Sequence, residues 1–269
     1  MPHLLLRGLP LGLPGWEIEA VLFDKDGTMS HSEPMLEALA EQRLRRCLQL
    51  VASRLDACCH GELRDLLARA YGTNCGRIDP AGLTAVASRE HNLIATATAL
   101  TQMGIGWPDA LAFAEQVFVL TDGLHGEGAP QRPQPTPGLQ AFVAALRHAG
   151  IGCAVISNDH EAGIRGFLSS HGLQERFQGL WSADHRPAKP DPRAVHALCA
   201  ELGVDPGRCA LIGDADSDLR MAQAAGLPVV LGYRGGWRQP PPLLTEGPRL
   251  DHWNELTVAS GPTPAAAAA

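Results

Sequence analysis

Apolar residues recur along this chain with two different periods, and the switch between them divides it. Ala20-Val21-Leu22-Phe23 is a continuous apolar run of strand length, followed at once by polar residues. Further on, Leu36, Leu39, Leu44, Leu48, Val51 and Leu55 keep the i, i+3, i+4 spacing of an amphipathic helix, predicted over 33–57. More helices are predicted over 62–70, 80–88, 91–103 and 108–120, with Asp79 as N-cap and Pro80 as first residue of the second. Residues 31–122 therefore read as a helical block with no convincing strand. From 121 to 138 Gly and Pro take over, and Pro130, Pro133, Pro135 and Pro137 mark a surface linker of limited flexibility. Beyond it the elements alternate: helix 139–148, strand 151–156, helix 160–170, a short apolar run 179–181, helix 192–202, strand 209–212, helix 217–225 and strand 228–231.

Alternation of this kind predicts βαβ units and an α/β fold, a parallel sheet with helices on both faces. The first strand belongs to that sheet, so the helical block is an insertion behind it. The expected organisation is a discontinuous core (16–30 and 123–256), a helical domain (31–122) and flexible tails at 1–15 and 257–269, the second ending in five alanines. Ligands of an open parallel sheet bind outside the carboxyl ends of its strands. Asp24 to Thr28, Ser157-Asn158-Asp159 and Gly213 to Asp218 each follow a predicted strand, and Lys189-Pro190-Asp191-Pro192 directly precedes a helix. Four polar clusters far apart in sequence are thus expected at one crevice.

With 269 residues, 45% hydrophobic and 19% charged, the chain has material for a large core and is not disordered throughout. A net charge of −7 argues against a nucleic-acid or anionic-membrane surface, since either demands a basic face. A small anionic substrate needs only a local positive pocket. All basic residues are arginine except Lys25 and Lys189, and both lysines fall inside the polar clusters. The arginine preference reads as mutational background, which gives the two exceptions weight. Seven cysteines (Cys47, Cys58, Cys59, Cys75, Cys153, Cys199, Cys209) form no CxxC pair and suit reduced thiols in a cytoplasmic protein. Arg7, Gly8, Pro10 and Pro14 interrupt the leucines of the first fifteen residues, so neither a signal peptide nor a membrane span is expected there.

Asp24-Lys25-Asp26-Gly27-Thr28 places two carboxylates on a sharp turn, where one can serve as nucleophile and the other as acid and base. A phosphate monoester is itself dianionic, so a carboxylate approaches its phosphorus only when cations offset the repulsion. Crowded Asp24, Asp214 and Asp218 call for a divalent cation, and an all-oxygen set with room for water suits Mg²⁺. Taken in order, Asp24 to Thr28, Ser157-Asn158, Lys189 to Pro192 and Gly213-Asp214 to Asp218 resemble the four motifs of the haloacid dehalogenase superfamily. Those motifs are DxDxT, a Ser or Thr after the second motif strand, a Lys before a helix, and an acidic GDxxxD.

The resemblance implies a Rossmann-like core with the helical block as an inserted C1 cap. Asp24 is the implied nucleophile, forming an aspartyl-phosphate that water hydrolyses, and Asp26 protonates the leaving alkoxide and then deprotonates that water. Neighbouring carboxylates are expected to favour the protonated Asp26 that the first task needs. Thr28, Ser157, Asn158 and Lys189 hold the phosphate. Mg²⁺ is implied on Asp24, the Asp26 carbonyl, Asp214 and Asp218, the last directly or through water. Asp26 argues against dehalogenases, which lack it, and against P-type ATPases, which carry Thr there. Residues 31–122 contain no lysine for the Schiff base of a phosphonoacetaldehyde hydrolase. The pattern looks most like phosphoglycolate phosphatases: a Mg²⁺-dependent phosphomonoester hydrolase acting on a small phosphorylated metabolite, without nucleic-acid or membrane partners, as monomer or dimer. A sugar phosphomutase of the β-phosphoglucomutase type and a noncatalytic binding protein on this fold are the alternatives. Asp216 is expected only to cap its helix, His31, Ser32 and Glu33 to form a hinge, and Arg77 and Arg132 to face solvent. His125, His160 and His185 receive no role.

Overall fold

The computed structural model describes residues 2–122 and 132–260. They form two compact units, one from the described residues of Met1–His31 and Gln134–Ala269, the other from those of Ser32–Pro133.

The first unit is built on a six-stranded parallel sheet in the order Arg249–Leu250, Val229–Tyr233, Cys209–Gly213, Ala20–Phe23, Gly152–Ile156, Gly179–Trp181. Ala20–Phe23 is central and every residue in it is buried, which is why it reads as an unbroken apolar run. Its side chains alternate between two cores. Val21 and Phe23 pack with Leu139, Phe142 and Val143 of helix Leu139–His148 and with Ile164 and Phe167 of helix Glu161–Ser170. Ala20 and Leu22 pack on the other face with Val195 and Leu198 of helix Pro192–Leu202 and with Leu219 and Ala222 of helix Asp216–Ala224. The α/β, Rossmann-like expectation holds. The outermost strand, Arg249–Leu250, is only two residues long, too short to leave a periodic signal.

The tails are a correction. Pro2–Leu6 pairs antiparallel with Leu256–Ser260 and folds back on Leu9–Pro10, so residues 2–10 and 256–260 are sheet rather than frayed ends. Arg7 and Gly8 make the turn with φ of 53° and 79°, the two-residue geometry whose twist matches its flanking strands. Leu4, Leu6 and Leu256 join the same core as Phe23. Each such leucine contributes roughly 1.5–3 kcal/mol on burial, which holds the chain end in place.

The second unit contains helices Glu33–Val51, Cys59–Tyr71, Leu83–Val86, Arg89–Gln102 and Trp107–Asp122. The helix predicted over 80–88 shrinks to four residues. Asp79 does not cap it: its carboxylate accepts from Ala81 N (2.9 Å) and its carbonyl from Gly82 N (2.8 Å), which makes a turn. A short ribbon, Thr73–Asn74 against Arg77–Ile78, is a strand pair that the helical reading missed. Of the linker read over 121–138, residues 123–131 lie outside the described ones, His125 with them; Gln134–Pro135 pairs with Ser30–His31. No helix among the described residues is long and apolar enough to cross a membrane.

Candidate active site

The central strand delivers Asp24 to the carboxyl edge of the sheet. Asp24 N still donates to Ile212 O (2.9 Å), extending the pairing one residue before the chain turns. The turn closes on the Lys25 carbonyl, which accepts from Thr28 N (3.3 Å), Ser30 N (3.0 Å) and the Ser30 hydroxyl (3.1 Å). Gly27 sits in this turn at φ +82°, a left-handed conformation that side chains disfavour, and a Cβ there would collide with Trp237 and Asp214. Thr136 fastens the turn from outside, its hydroxyl donating to Thr28 O (2.8 Å).

Lys189 lies at the centre of the cluster. Its Nζ is 2.6 Å from Asp24 Oδ1, 2.7 Å from Asp218 Oδ1 and 3.3 Å from the carbonyl of Ile156, where the neighbouring strand ends. Asp214 is held at both oxygens, by the Thr28 hydroxyl on Oδ1 (2.8 Å) and by the Trp237 indole N–H on Oδ2 (2.6 Å). Asp24, Asp214 and Asp218, all buried, each offer an oxygen within 4.8 Å of the others, a hard all-oxygen set that fits a divalent cation.

Burial raises the Asp24 carboxyl to about 6 against the pull of Lys189, with Asp218 adding to the rise. Asp214 is pushed well up by burial and by the charges of Asp24 and Asp218, while its bonds from Trp237 and Thr28 act the other way. Burial alone would lower the Lys189 ammonium, but Asp218 and Asp24 outweigh it and hold it above its ordinary range. The cluster is thus a pocket where anionic charge is in excess, and a bound cation relieves that excess.

Four predicted site residues, Asp24, Lys189, Asp214 and Asp218, are brought together directly, and Thr28 reaches them through Asp214. The Thr28 hydroxyl, expected on a phosphate oxygen, donates to a carboxylate instead. Ser157 is buried in the loop after strand Gly152–Ile156, its N–H donating to Trp181 O (2.9 Å) and its Oγ accepting from Asp159 N (3.2 Å); Asn158 follows in the same loop. Asp26 also has an ammonium beside it, Lys25 Nζ at 2.6 Å from its Oδ1, while its charge acts on the Asp24 carboxylate.

Asp216 does more than sit at a helix start. Its carboxylate accepts from Leu244 N (3.0 Å) and Thr245 N (2.7 Å) and so anchors a loop. Trp237 and Gly236 escaped the sequence reading; Gly236 rests against the carbonyl of Gly27, and its own carbonyl accepts from His31 Nδ1 (3.0 Å). The only trace of this loop in the sequence is the Gly235-Gly236 pair ahead of a tryptophan. His160 bonds Asp184 (2.8 Å) and His185 bonds Ser182 (2.9 Å). Arg77 and Arg132 are exposed.

Comparison with known proteins identifies the family. Residues 18–226 match the family model of haloacid dehalogenase-like hydrolases. A phosphoglycolate phosphatase of Rhodospirillum rubrum is 32% identical over 230 residues, 82% of each chain, and one of Thiobacillus denitrificans is 28% identical over 223 residues, 81% of this chain and 86% of that one. Among solved structures, a predicted phosphoglycolate phosphatase from Haemophilus somnus superposes with a TM-score of 0.57 at 21% identity, covering 80% of this chain and 85% of that one. CbbY from Rhodobacter sphaeroides in complex with phosphate gives 0.50 at 22% identity, covering 88% and 96%. The chain belongs to the haloacid dehalogenase-like hydrolases.

Proposed function

We propose that this hydrolase is a Mg²⁺-dependent phosphomonoesterase for a small phosphorylated metabolite, with 2-phosphoglycolate as the first substrate to test. The observation that carries the reading is Lys189, buried between Asp24 and Asp218 at 2.6 and 2.7 Å, beside a third carboxylate, Asp214. One cation among three anions can hold a phosphate oxygen only if a second cation joins it. Asp24, the Asp26 carbonyl, Asp214 and Asp218 would hold Mg²⁺, which supplies the positive charge that lets a carboxylate approach a phosphoester.

In this mechanism Asp24 attacks phosphorus in line, breaking the ester bond and forming an aspartyl-phosphate. Asp26 gives its proton to the departing alkoxide and recovers one from the water that opens the acyl phosphate. Lys189, Ser157 and Asn158 steady the phosphate oxygens as charge moves among them. Thr28 acts one step back, orienting Asp214. The helical unit, inserted in the chain between strands Ala20–Phe23 and Gly152–Ile156, is the part to which this reading assigns substrate selection. Relatives named as phosphoglycolate phosphatases at about 30% identity support this choice.

A phosphate-release screen over several dozen phosphorylated metabolites with Mg²⁺ tests the reading. Release from 2-phosphoglycolate or a related monoester, abolished by EDTA and restored by Mg²⁺, is expected. Isomerised sugar phosphate without phosphate release would indicate a mutase, and inertness across the panel a binding protein.

A further inference from the structure

Lys25 has no task in the chemistry proposed above, yet its side chain is only 2% exposed, against 18% for Asp26. Burying an ammonium is costly unless it is paired, and an apolar residue of similar length fills the same space without that cost. The pairing is therefore what needs explaining. Lys25 Nζ lies 2.6 Å from Asp26 Oδ1 and 3.0 Å from Asp159 Oδ2. Burial would lower this ammonium, and the charges of Asp159 and Asp26 more than reverse that.

Asp159 is itself fixed. Its N–H donates to Ser157 Oγ (3.2 Å), its carbonyl accepts from Ala183 N (2.9 Å) and its Oδ1 accepts from His160 N (2.8 Å). Gly163 leaves room for it, since a Cβ there would stand 2.8 Å from Asp159 Cγ. Lys25 thus ties the turn that carries Asp26 to the loop that carries Ser157 and Asn158. The Ser30 hydroxyl, at 3.5 Å, is a weaker second contact on the same Asp26 oxygen.

We propose that Lys25, anchored by Asp159, is a positioning residue that holds the Asp26 carboxyl where it can pass a proton to the leaving oxygen. This rests on the phosphoester reading. As the P–O ester bond breaks, the proton on Asp26 goes to the alkoxide to give an alcohol. A proton then returns to Asp26 from water as that water's oxygen bonds to phosphorus and Asp24 departs as carboxylate. A poor leaving group such as an alkoxide needs this proton; p-nitrophenolate leaves without it. A clasp that only stabilises the fold would slow both substrates equally, whereas one that positions Asp26 separates them.

The test compares wild type, Lys25→Met, Asp159→Asn, the double variant and Asp26→Asn, with Mg²⁺, on the best alkyl monoester of the screen and on p-nitrophenyl phosphate. Melting curves accompany the kinetics. Lys25→Met is expected to lower kcat for the alkyl ester about 100-fold, with less than about a fivefold loss on p-nitrophenyl phosphate and KM within about threefold. Asp159→Asn should show the same split, about tenfold in size, because the anchor but not the clasp is lost. The double variant, freed of both charges, should regain melting temperature and keep the split. Equal losses on both substrates, or alkyl turnover restored along with stability in the double variant, would overturn the inference. Asp26→Asn separates the two levels: if it shows no leaving-group split, the acid role itself falls, and if it shows one that Lys25→Met lacks, only the positioning role falls.

Discussion

Replacing Lys189 by methionine keeps much of the side-chain volume and removes the charge at the centre of the site. At an effective dielectric of 20, the 2.6 Å approach to Asp24 is worth about 6 kcal/mol of attraction, and the 2.7 Å approach to Asp218 about the same. Asp24, Asp214 and Asp218 lie within 4.8 Å of one another, so each ionised pair repels by about 3.5 kcal/mol or more. Attraction of about 12 kcal/mol thus meets repulsion of about 10, a near balance that methionine would destroy. The net loss is smaller than the Coulomb figure, because Asp24, already raised to about 6 by burial, and Asp214 can take up protons. Breaking a buried pair by removing one partner costs about 3–5 kcal/mol. For a protein of this size that lowers the melting temperature by roughly 6–20 °C. The measurement is a thermal melt in EDTA at pH 7.5, by circular dichroism. The deficit should narrow at pH 5, where the carboxylates protonate, and narrow again when Mg²⁺ is added at pH 7.5. A variant that melts with wild type in EDTA at pH 7.5 would refute this balance of charges.

Asp24→Asn should abolish multiple turnover while leaving the melting curve intact or improved, since it removes one of three crowded anions; steady phosphate release by that variant would move the nucleophile elsewhere. Trp237→Phe removes one of two bonds orienting Asp214 and should weaken Mg²⁺ binding by about 10-fold or more, read by calorimetry; unchanged affinity would show that Thr28 alone suffices. The Mg²⁺-induced rise in melting temperature should grow with pH. Asp24 titrates near 6 in the folded protein against 3.8 ordinarily, so between those values the native state binds more protons than the unfolded one, and metal-free stability falls as pH rises through them. Protons compete with the cation over that same interval. Stabilisation by Mg²⁺ should therefore be small at pH 5 and complete above pH 7, and a pH-independent increment would count against the carboxylate site.

Much of the core was legible because its signals are local. An unbroken apolar run such as Ala20–Phe23 must be buried on both faces, and alternation with amphipathic helices leaves a parallel sheet as its solution. The rule that ligands gather at the carboxyl ends of parallel strands then groups Asp24, Ser157 and Asp214 without any distance being known. The chain ends were misread because their leucines are stabilised by partners some 250 residues away: Leu4 faces Val258 and Leu6 faces Leu256 across a sheet that neither segment announces. The helix predicted over 80–88 failed for a related reason, since Asp79 found its hydrogen bonds in a turn before it could cap anything.

By itself the amino-acid sequence determined which polar side chains the fold would deliver to one edge of the sheet, because strand burial and turn geometry are written in neighbouring residues. Only the tertiary structure decided how each carboxylate is partnered. Lys189 went to Asp24 and Asp218, Lys25 to Asp26 and Asp159, and the Thr28 hydroxyl and the Trp237 indole to Asp214. Those pairings depend on separations of a few ångströms between loops up to about two hundred residues apart, and electrostatic energy changes steeply over that distance while sequence spacing does not record it.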